Sequence, residues 1–473
     1  MLTAVIAYMS VLVLLGAWRS RRVKTGDDFL VAGRTLPAHV LVFTLLATWV
    51  GSGSLFGGAG LGYRSGFSAL WQSAGAWVGI ALVYFIAPRV RRIAQYTVPD
   101  ILELRYGPLA RVLGTITTVL AYTTIAAYQF RGGGRLLALV ANVDPGTGAL
   151  ITAAFCILFT SLAGMLSIAY LDIGNGLIIT LAVMFGVVFL VNDAGGWSAS
   201  LVALRPEQLT LFGDIGPQGA FALFLPTMFL LLGEANMYQK FFSARNERAA
   251  RLSVVGWIIG TIIVETLIDS IGILGSLSLV GLSIAESEEI VVRVATDALP
   301  PLLGIFLVCG AAAIVVSTAN SFLLTPATNL IRDVYQRFID PSVTDRQMVI
   351  YTRFIVVVIG ILGYVAGNFF PTILAMALWA YTMYGAGITP ALLGALLWKR
   401  ATREGDVASI AVGMVTTICW EIVALMRSTD GNPDYLFGSQ TAYPALALSI
   451  GTLVIVSLFT SPPTIDELDF RTV

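Results

Sequence analysis

The sequence predicts an all-α integral membrane protein of about thirteen transmembrane helices, and three observations carry that prediction. Of its 473 residues, 57% are hydrophobic and only 12% charged, against roughly a quarter charged in a soluble domain, and the mean hydropathy is +0.84. Apolar runs long enough to cross roughly 30 Å of hydrocarbon, about 20 helical residues each, recur from one end of the chain to the other. Two of these runs carry glycine, proline or a carboxylate where a plain span would be uniformly apolar.

The first run, residues 2–18, is followed by Arg19, Arg21, Arg22 and Lys24. A signal peptide carries its positive charge before the apolar run, so this one is expected as a retained span. The others fall near 38–62, 67–88, 108–130, 147–166, 173–192, 219–241, 252–281, 301–329, 348–367, 372–398, 406–426 and 442–460. Nothing is left over for a soluble domain, so residues 1–473 are expected to form one membrane transport domain. Its parts are an extra N-terminal helix and loop at 1–35, a five-helix unit at 36–192, a second at 218–400, and C-terminal helices at 401–473.

Charge sets the expected orientation, because Lys and Arg collect in cytoplasmic loops. Arg19 to Arg34, Arg89 to Arg105, Lys240 to Arg251, Arg332 to Arg346 and Lys399 to Arg403 fall on one side. Asp193, Asp214, Glu286, Glu288, Glu289, Asp430 and Asp434 fall on the other. The N-terminus is therefore expected outside and the C-terminus in the cytoplasm of a plasma (inner) membrane, despite the acidic tail residues Asp466, Glu467 and Asp469. Lys+Arg and Asp+Glu are equal at 28 each, so no nucleic-acid partner is indicated. Cys156, Cys309 and Cys419 stand alone in apolar stretches and suggest neither a disulfide framework nor a zinc site. The single histidine, His39, has no partner for a metal motif or an activated nucleophile, so enzyme chemistry is not expected.

The second span, Ala47-Thr-Trp-Val-Gly-Ser-Gly-Ser-Leu-Phe-Gly-Gly-Ala-Gly60, holds five glycines in fourteen residues, each weakening a helix by roughly 1 kcal/mol relative to alanine. The seventh combines Pro226 with Gly233-Glu234-Ala-Asn236. With the first span set aside, these are the first and sixth of the remaining helices, matching positions in a fold of two inverted five-helix repeats. Broken helices at matching positions point to a midplane site, because unwound carbonyls can coordinate a cation. Close helix packing through Gly53-xxx-Gly57 and Gly58-xxx-Gly62 explains the second span alone equally well; the pairing with the seventh decides.

The ninth span clusters Ser317, Thr318, Asn320 and Ser321 in otherwise apolar sequence. Adjacent hydroxyls and freed carbonyls suit sodium, a hard cation, without a formal charge. A single hydroxyl of this kind more often bonds the carbonyl one turn back. Asp172, Glu234, Glu265, Asp269 and Glu421 are ionisable residues within spans, each costing roughly 2.5–3.5 kcal/mol at a helix centre. Asp172 also fits a helix N-cap, Glu234 sits in the proposed break, and the other three are left without a role. Trp71, Gln72, Asn236, Tyr381 and Tyr384 complete a candidate pocket, although Trp71 taken alone fits an interfacial aromatic belt better.

At these residues the sequence resembles the sodium/solute symporter family, whose members share a LeuT-type core of two inverted repeats with an extra N-terminal helix. The resemblance runs through Asp27-Asp-Phe-Leu-Val-Ala-Gly-Arg34, Tyr96-Thr-Val-Pro-Asp-Ile-Leu-Glu-Leu-Arg-Tyr106, Gly164 to Asp172, Ser317-Thr318 with Asp333-Val-Tyr335, and Thr389-Pro390 with Trp398-Lys399-Arg400. It implies a main sodium site on the carbonyls of Ala47, Val50 and Ile314 and the hydroxyls of Ser317 and Thr318. A second sodium or ion path is implied near Asp172, Asn320 and Ser321, where Asn320 departs from the usual serine pair. In sugar-carrying relatives, positions matching Trp71, Gln72 and Glu234 meet the substrate. Proline-carrying relatives have an acid where this chain has Trp49, which argues against a simple proline carrier. The run Ala47-Thr-Trp-Val-Gly51 also resembles the choline-transporting branch, which suggests a quaternary ammonium held by Glu234 and aromatic rings. The expected function is sodium-coupled symport of a small organic solute by alternating access, with Na+ as the co-transported ion. Proton coupling through Glu234 or Asp172, or a non-transporting membrane solute sensor, are the alternatives.

Overall fold

Helix follows helix from Leu2 to Phe459 in a computed structural model that describes residues 1–20, 31–93, 95–428 and 433–463. Arg21, Arg22, Lys24, residues 27–30 of the loop motif, Asp430, Asp466, Glu467 and Asp469 lie outside the described residues, as does the side chain of Arg19. In order the main helices are α1 (Leu2–Ser20), α2 (Ala38–Trp49), α3 (Ala59–Ser65), α4 (Leu70–Val83) and α5 (Pro108–Ala141). The helical run Pro145–Asp193 holds two spans, α6 (Pro145–Leu162) and α7 (Ser167–Asp193). Then come α8 (Gly216–Gly233), α9 (Ala235–Ser243), α10 (Glu247–Ser278), α11 (Pro301–Asn329), α12 (Asp345–Ala366), α13 (Ile373–Gly387), α14 (Thr389–Leu397), α15 (Arg403–Arg427) and α16 (Ala442–Phe459).

All thirteen expected spans are helical. Among the described residues, eleven helices are long and apolar enough to cross a membrane, and the apolar helices Leu2–Gly16 and Ala38–Trp49 are shorter. The first of these continues to Ser20 as α1, whereas the shortness of the other has a physical origin. The second expected span is split, so that its first half stands alone as α2 while its other half runs on from a π-helical turn at Gly53–Gly58 toward α4.

Three helices are interrupted, the first over two residues, Val50 and Gly51, and the other two over one residue each. Val50 is extended (φ −67°, ψ 112°) after α2, Glu234 is extended (φ −60°, ψ 114°) between α8 and α9, and Ile388 (φ −120°, ψ −47°) divides α13 from α14. The first two lie in the segments whose composition predicted a break. The third was not anticipated, although Pro390 two residues on is the kind of residue that disfavours an unbroken helix. At the first break bare backbone is required: a Cβ on Gly51 would come within 2.7 Å of Gln129 Nε2 and 3.0 Å of Thr318 Cγ2.

Helix α11 is the centre of the bundle. Every residue from Leu307 to Asn329 is buried, the pattern of a helix covered all round. Charged ties close the bundle at both ends. At one, Arg111 reaches Asp100 at 2.6 Å and Asp333 at 2.7 Å and also pairs with Glu103, while Thr97 donates to Asp333 at 2.9 Å and Arg105 donates to the Lys399 carbonyl at 3.1 Å. Segments far apart in sequence, each singled out for its motif, therefore meet at one end of the protein. At the other end Arg135 pairs with Glu288 at 2.5 Å, and Glu288 also accepts from the backbone of Ile373 and Leu374 at the start of α13.

Candidate ion and solute site

The break after α2 frees carbonyls that the regular helix would have used, and α11 presents hydroxyls to them. Thr318 Oγ1 donates to the carbonyl of Ala47 at 3.2 Å and of Val50 at 3.0 Å. Ile314 lies one turn before Thr318 on the same buried helix. Ser317 turns instead to Asp172 on α7, donating at 2.5 Å to one carboxylate oxygen while Thr44 donates at 2.6 Å to the other. A hydroxyl carries one hydrogen and two lone pairs, so Thr318 can rotate from donating to these carbonyls to joining them as a third oxygen around a cation. This is the arrangement in which unwound backbone and neighbouring hydroxyls hold a transported ion.

The ion-path group divides. Ser321 lies 3.0 Å from the Thr48 hydroxyl and so faces α2. Asn320 points the other way, its carbonyl oxygen accepting from Thr160 on α6 at 2.8 Å. Sequence reasoning missed Lys240, which is fully buried on α9. Its ammonium donates to the Thr44 carbonyl at 3.1 Å and bonds the Thr48 hydroxyl. This basic group of α9 thus sits against α2, whose Thr44 also bonds Asp172. A lysine among hydrophobic neighbours late in a short helix was the available signal, but its loop-proximal position read as an ordinary cytoplasmic charge.

Glu234 is placed by the second break as the cap of α9. Its carboxylate accepts from the backbone N–H of Asn236 at 3.2 Å and of Met237 at 2.9 Å, and from the Tyr122 hydroxyl at 2.9 Å. A carboxylate on a helix N-terminus is stabilised by the orphan N–H groups and the dipole, so its oxygens are already engaged. Tyr384 stacks on Tyr122 with centroids 5.3 Å apart, and the Asn236 side-chain oxygen bonds Thr325. Glu234, Asn236 and Tyr384 thus come together in one buried layer.

Tyr381 belongs to a second layer, with its hydroxyl 3.3 Å from that of Tyr128 and its ring 5.8 Å from Trp49. Gln72 is buried on α4. Trp71 stands apart from both layers: its indole N–H donates to the Leu211 carbonyl at 2.9 Å and its ring stacks on Phe212 at 5.5 Å, in an aromatic group with Phe221 and Phe224.

Interrupted helices that bring freed carbonyls against hydroxyls inside a bundle of membrane-length helices are the arrangement of a secondary transporter that works by alternating access. The sodium:solute symporter family model matches residues 29–413, and the chain belongs to that family. It is therefore a sodium-coupled symporter of the LeuT-type fold, and the family is one of transporters rather than enzymes. Among curated relatives, the high-affinity proline transporter PutP of Bacillus subtilis is 25% identical, covering 96% of this chain and 97% of its own. A sodium/proline symporter of Staphylococcus aureus is 25% identical over 96% of this chain and 92% of its own. Among solved structures, a sodium-coupled sialic acid symporter in a substrate-bound outward-open state superposes with a TM-score of 0.78 at 17% identity, covering 98% of both chains. MhsT in complex with L-phenylalanine gives 0.55 at 16% identity, covering 90% of this chain and 98% of its own.

Proposed function

We propose that the co-transported sodium sits between the break after α2 and helix α11, on the carbonyls of Ala47, Val50 and Ile314 and the hydroxyls of Ser317 and Thr318. The observation that supports this most is the Thr318 hydroxyl, which holds two carbonyls of the broken span from a helix some 270 positions away in sequence. Asp172 and Ser321 line the route onward, and Asn320 holds α6 rather than the ion. The solute binds beside the ion, among Gln72, Tyr381 and the Tyr384–Asn236 layer that Glu234 anchors, with Trp71 at the rim.

Coupling follows if each ligand favours the same conformation, so that sodium and solute bias one equilibrium. A 100 mV inside-negative potential adds roughly 2.3 kcal/mol per sodium to the driving force, enough to concentrate a neutral solute. The basic loops set the N-terminus outside and the C-terminus in the cytoplasm of a plasma membrane. Residues 36–192 and 218–400 act as the two repeats, with 1–35 and 401–473 as additions.

The test is uptake into proteoliposomes from a panel of amino acids headed by proline, sugars including sialic acid, organic acids and quaternary amines, with and without a sodium gradient. One solute class is expected to enter only with sodium, and the Ser317→Ala/Thr318→Ala variant to lose that dependence. Uptake indifferent to sodium, or unchanged sodium dependence in the variant, would remove the site assignment.

A further inference from the structure

Glu421, on α15, is an intramembrane carboxylate to which the sodium and solute sites give no role. It stands in the wall of a cavity of about 400 Å³, within the range of roughly 300–1,000 Å³ that small-molecule sites occupy. The cavity lies between α8 and α13, on the side away from their breaks at Glu234 and Ile388, and is closed off by α15 and the start of α16. Loop charges place this end of the bundle outside. The chain between α15 and α16, which supplies part of the wall, is strapped to α8: Gln218 Nε2 donates to the Gly438 carbonyl at 2.9 Å, and the Tyr443 hydroxyl donates to the Gln218 carbonyl at 2.5 Å.

Among the described residues that line this cavity, Glu421 is the only charged one. Thr441 Oγ1 donates to one of its carboxylate oxygens at 2.6 Å and the Tyr435 hydroxyl to the other at 3.3 Å, which fixes the group at the wall and leaves further lone pairs on both oxygens. No basic side chain pairs with it among the described residues; Arg427, farther along α15, is held by Asp434 at 3.1 Å. A carboxylate within a span is costly unless a charge offsets it, and such a residue marks a ligand site by default.

The rest of the wall says which cation fits. A metal ion replaces its hydration shell with a ring of oxygens. Here the Thr372 hydroxyl accepts from the Ala375 N–H at 3.1 Å and the Thr382 hydroxyl donates to the Leu378 carbonyl at 2.8 Å, so both are engaged along α13. The rings of Trp379 and Tyr435 line the cavity instead, with apolar side chains such as Leu378 and Pro226. Aromatic faces attract an organic cation, and apolar walls take its alkyl groups.

We propose that this cavity is a second, outer site that binds an organic cation, with Glu421 as its counter-charge and Trp379 and Tyr435 as its aromatic walls. The site is distinct from the midplane. Pro226 precedes the break at Glu234 by eight residues, ~12 Å of helix, and Tyr381, next to the lining residue Thr382, pairs with Tyr128 and Trp49. None of the lining residues belongs to α2 or α11, so the outer site fills without sodium.

The test is equilibrium binding of radiolabelled tetraethylammonium to the purified full chain in sodium-free buffer. Saturable binding is expected, displaced by unlabelled tetraethylammonium but not by triethylmethanol, an uncharged molecule of similar bulk. Glu421→Gln is expected to weaken it about tenfold or more and Trp379→Leu about fivefold. Should Glu421→Gln not fold, Ala375→Phe, which fills the cavity from α13, serves in its place with the same loss expected. No saturable binding in the wild type, displacement by the alcohol, or unchanged affinity in the folded variants overturns the proposal. Binding that appears only with sodium overturns it in favour of the midplane site. The symport reading is judged separately by solute uptake under a sodium gradient: if no solute enters, yet the wild type binds tetraethylammonium and Glu421→Gln does not, symport fails and the outer site stands.

Discussion

Replacing Thr318 by valine keeps the side chain's shape and removes one oxygen, and the structure sets what each state of the protein loses. In the ion-free form the hydroxyl donates to two buried carbonyls, Ala47 at 3.2 Å and Val50 at 3.0 Å. Its one hydrogen is shared between them, and stranding buried acceptors costs about 1–3 kcal/mol, so that form loses about 2 kcal/mol. The sodium-bound form loses a ligand to a buried charge, and removing one such group in enclosed sites costs about 4 kcal/mol at the upper end. The difference, about 2 kcal/mol, is a weakening of sodium binding by roughly thirtyfold. Thr318→Ser, which restores the oxygen, should recover most of it. The assay is the half-saturating sodium concentration for uptake, alongside displacement of radiosodium by unlabelled sodium. A valine variant with wild-type sodium affinity would refute the reasoning, as would weakened solute binding at saturating sodium with no change in sodium affinity.

Lys240→Met removes the fixed ammonium from Thr44 and Thr48 and leaves Asp172 without its nearby cation. Stranding a buried charge costs about 3 kcal/mol, so the unfolding midpoint without sodium should fall and added sodium should raise it further than in the wild type; an equal sodium-induced rise would contradict this. Glu103 is tied to Arg111 and to Arg337 at 2.9 Å. Burial pushes its carboxyl up, but the two arginines outweigh that and hold it below the usual range. Its stabilisation is therefore present above the ordinary glutamate value of about 4.3 and is lost as pH falls through the lower folded value. Glu103→Gln should cost about 1 kcal/mol at neutral pH and flatten the acid side of a midpoint-against-pH curve; an unchanged acid slope would count against the tie.

Much of this architecture was legible because its causes are local. Apolar length marks a span wherever it falls, and the glycine-rich run after Trp49 and the Pro226–Glu234 stretch announce breaks because those residues weaken helices regardless of neighbours. The capping role of Glu234 was not read from the sequence, where the cap reading fell on Asp172, a residue inside the helical run Pro145–Asp193. What escaped was whatever depends on neighbours distant in sequence. Glu265 and Asp269 could be placed one turn apart but given no role, since Trp49, Trp77, Ser54 and Ser73 come from other helices. Whether Trp71 faced the midplane or the rim depended on the loop bearing Leu211 and Phe212. Asn320 and Ser321 are adjacent in sequence, yet a helix turns them about 100° apart, sending one to α6 and the other to α2.

The measurement that bears most directly on sodium-coupled symport through the broken span is simultaneous entry of solute and radiosodium into the same proteoliposomes under an imposed sodium gradient. The account predicts that both enter in a fixed ratio, that collapsing the gradient stops accumulation, and that Thr318→Val restores neither at low sodium. Solute accumulation driven by a proton gradient without sodium, or sodium entry that does not depend on solute, would contradict it.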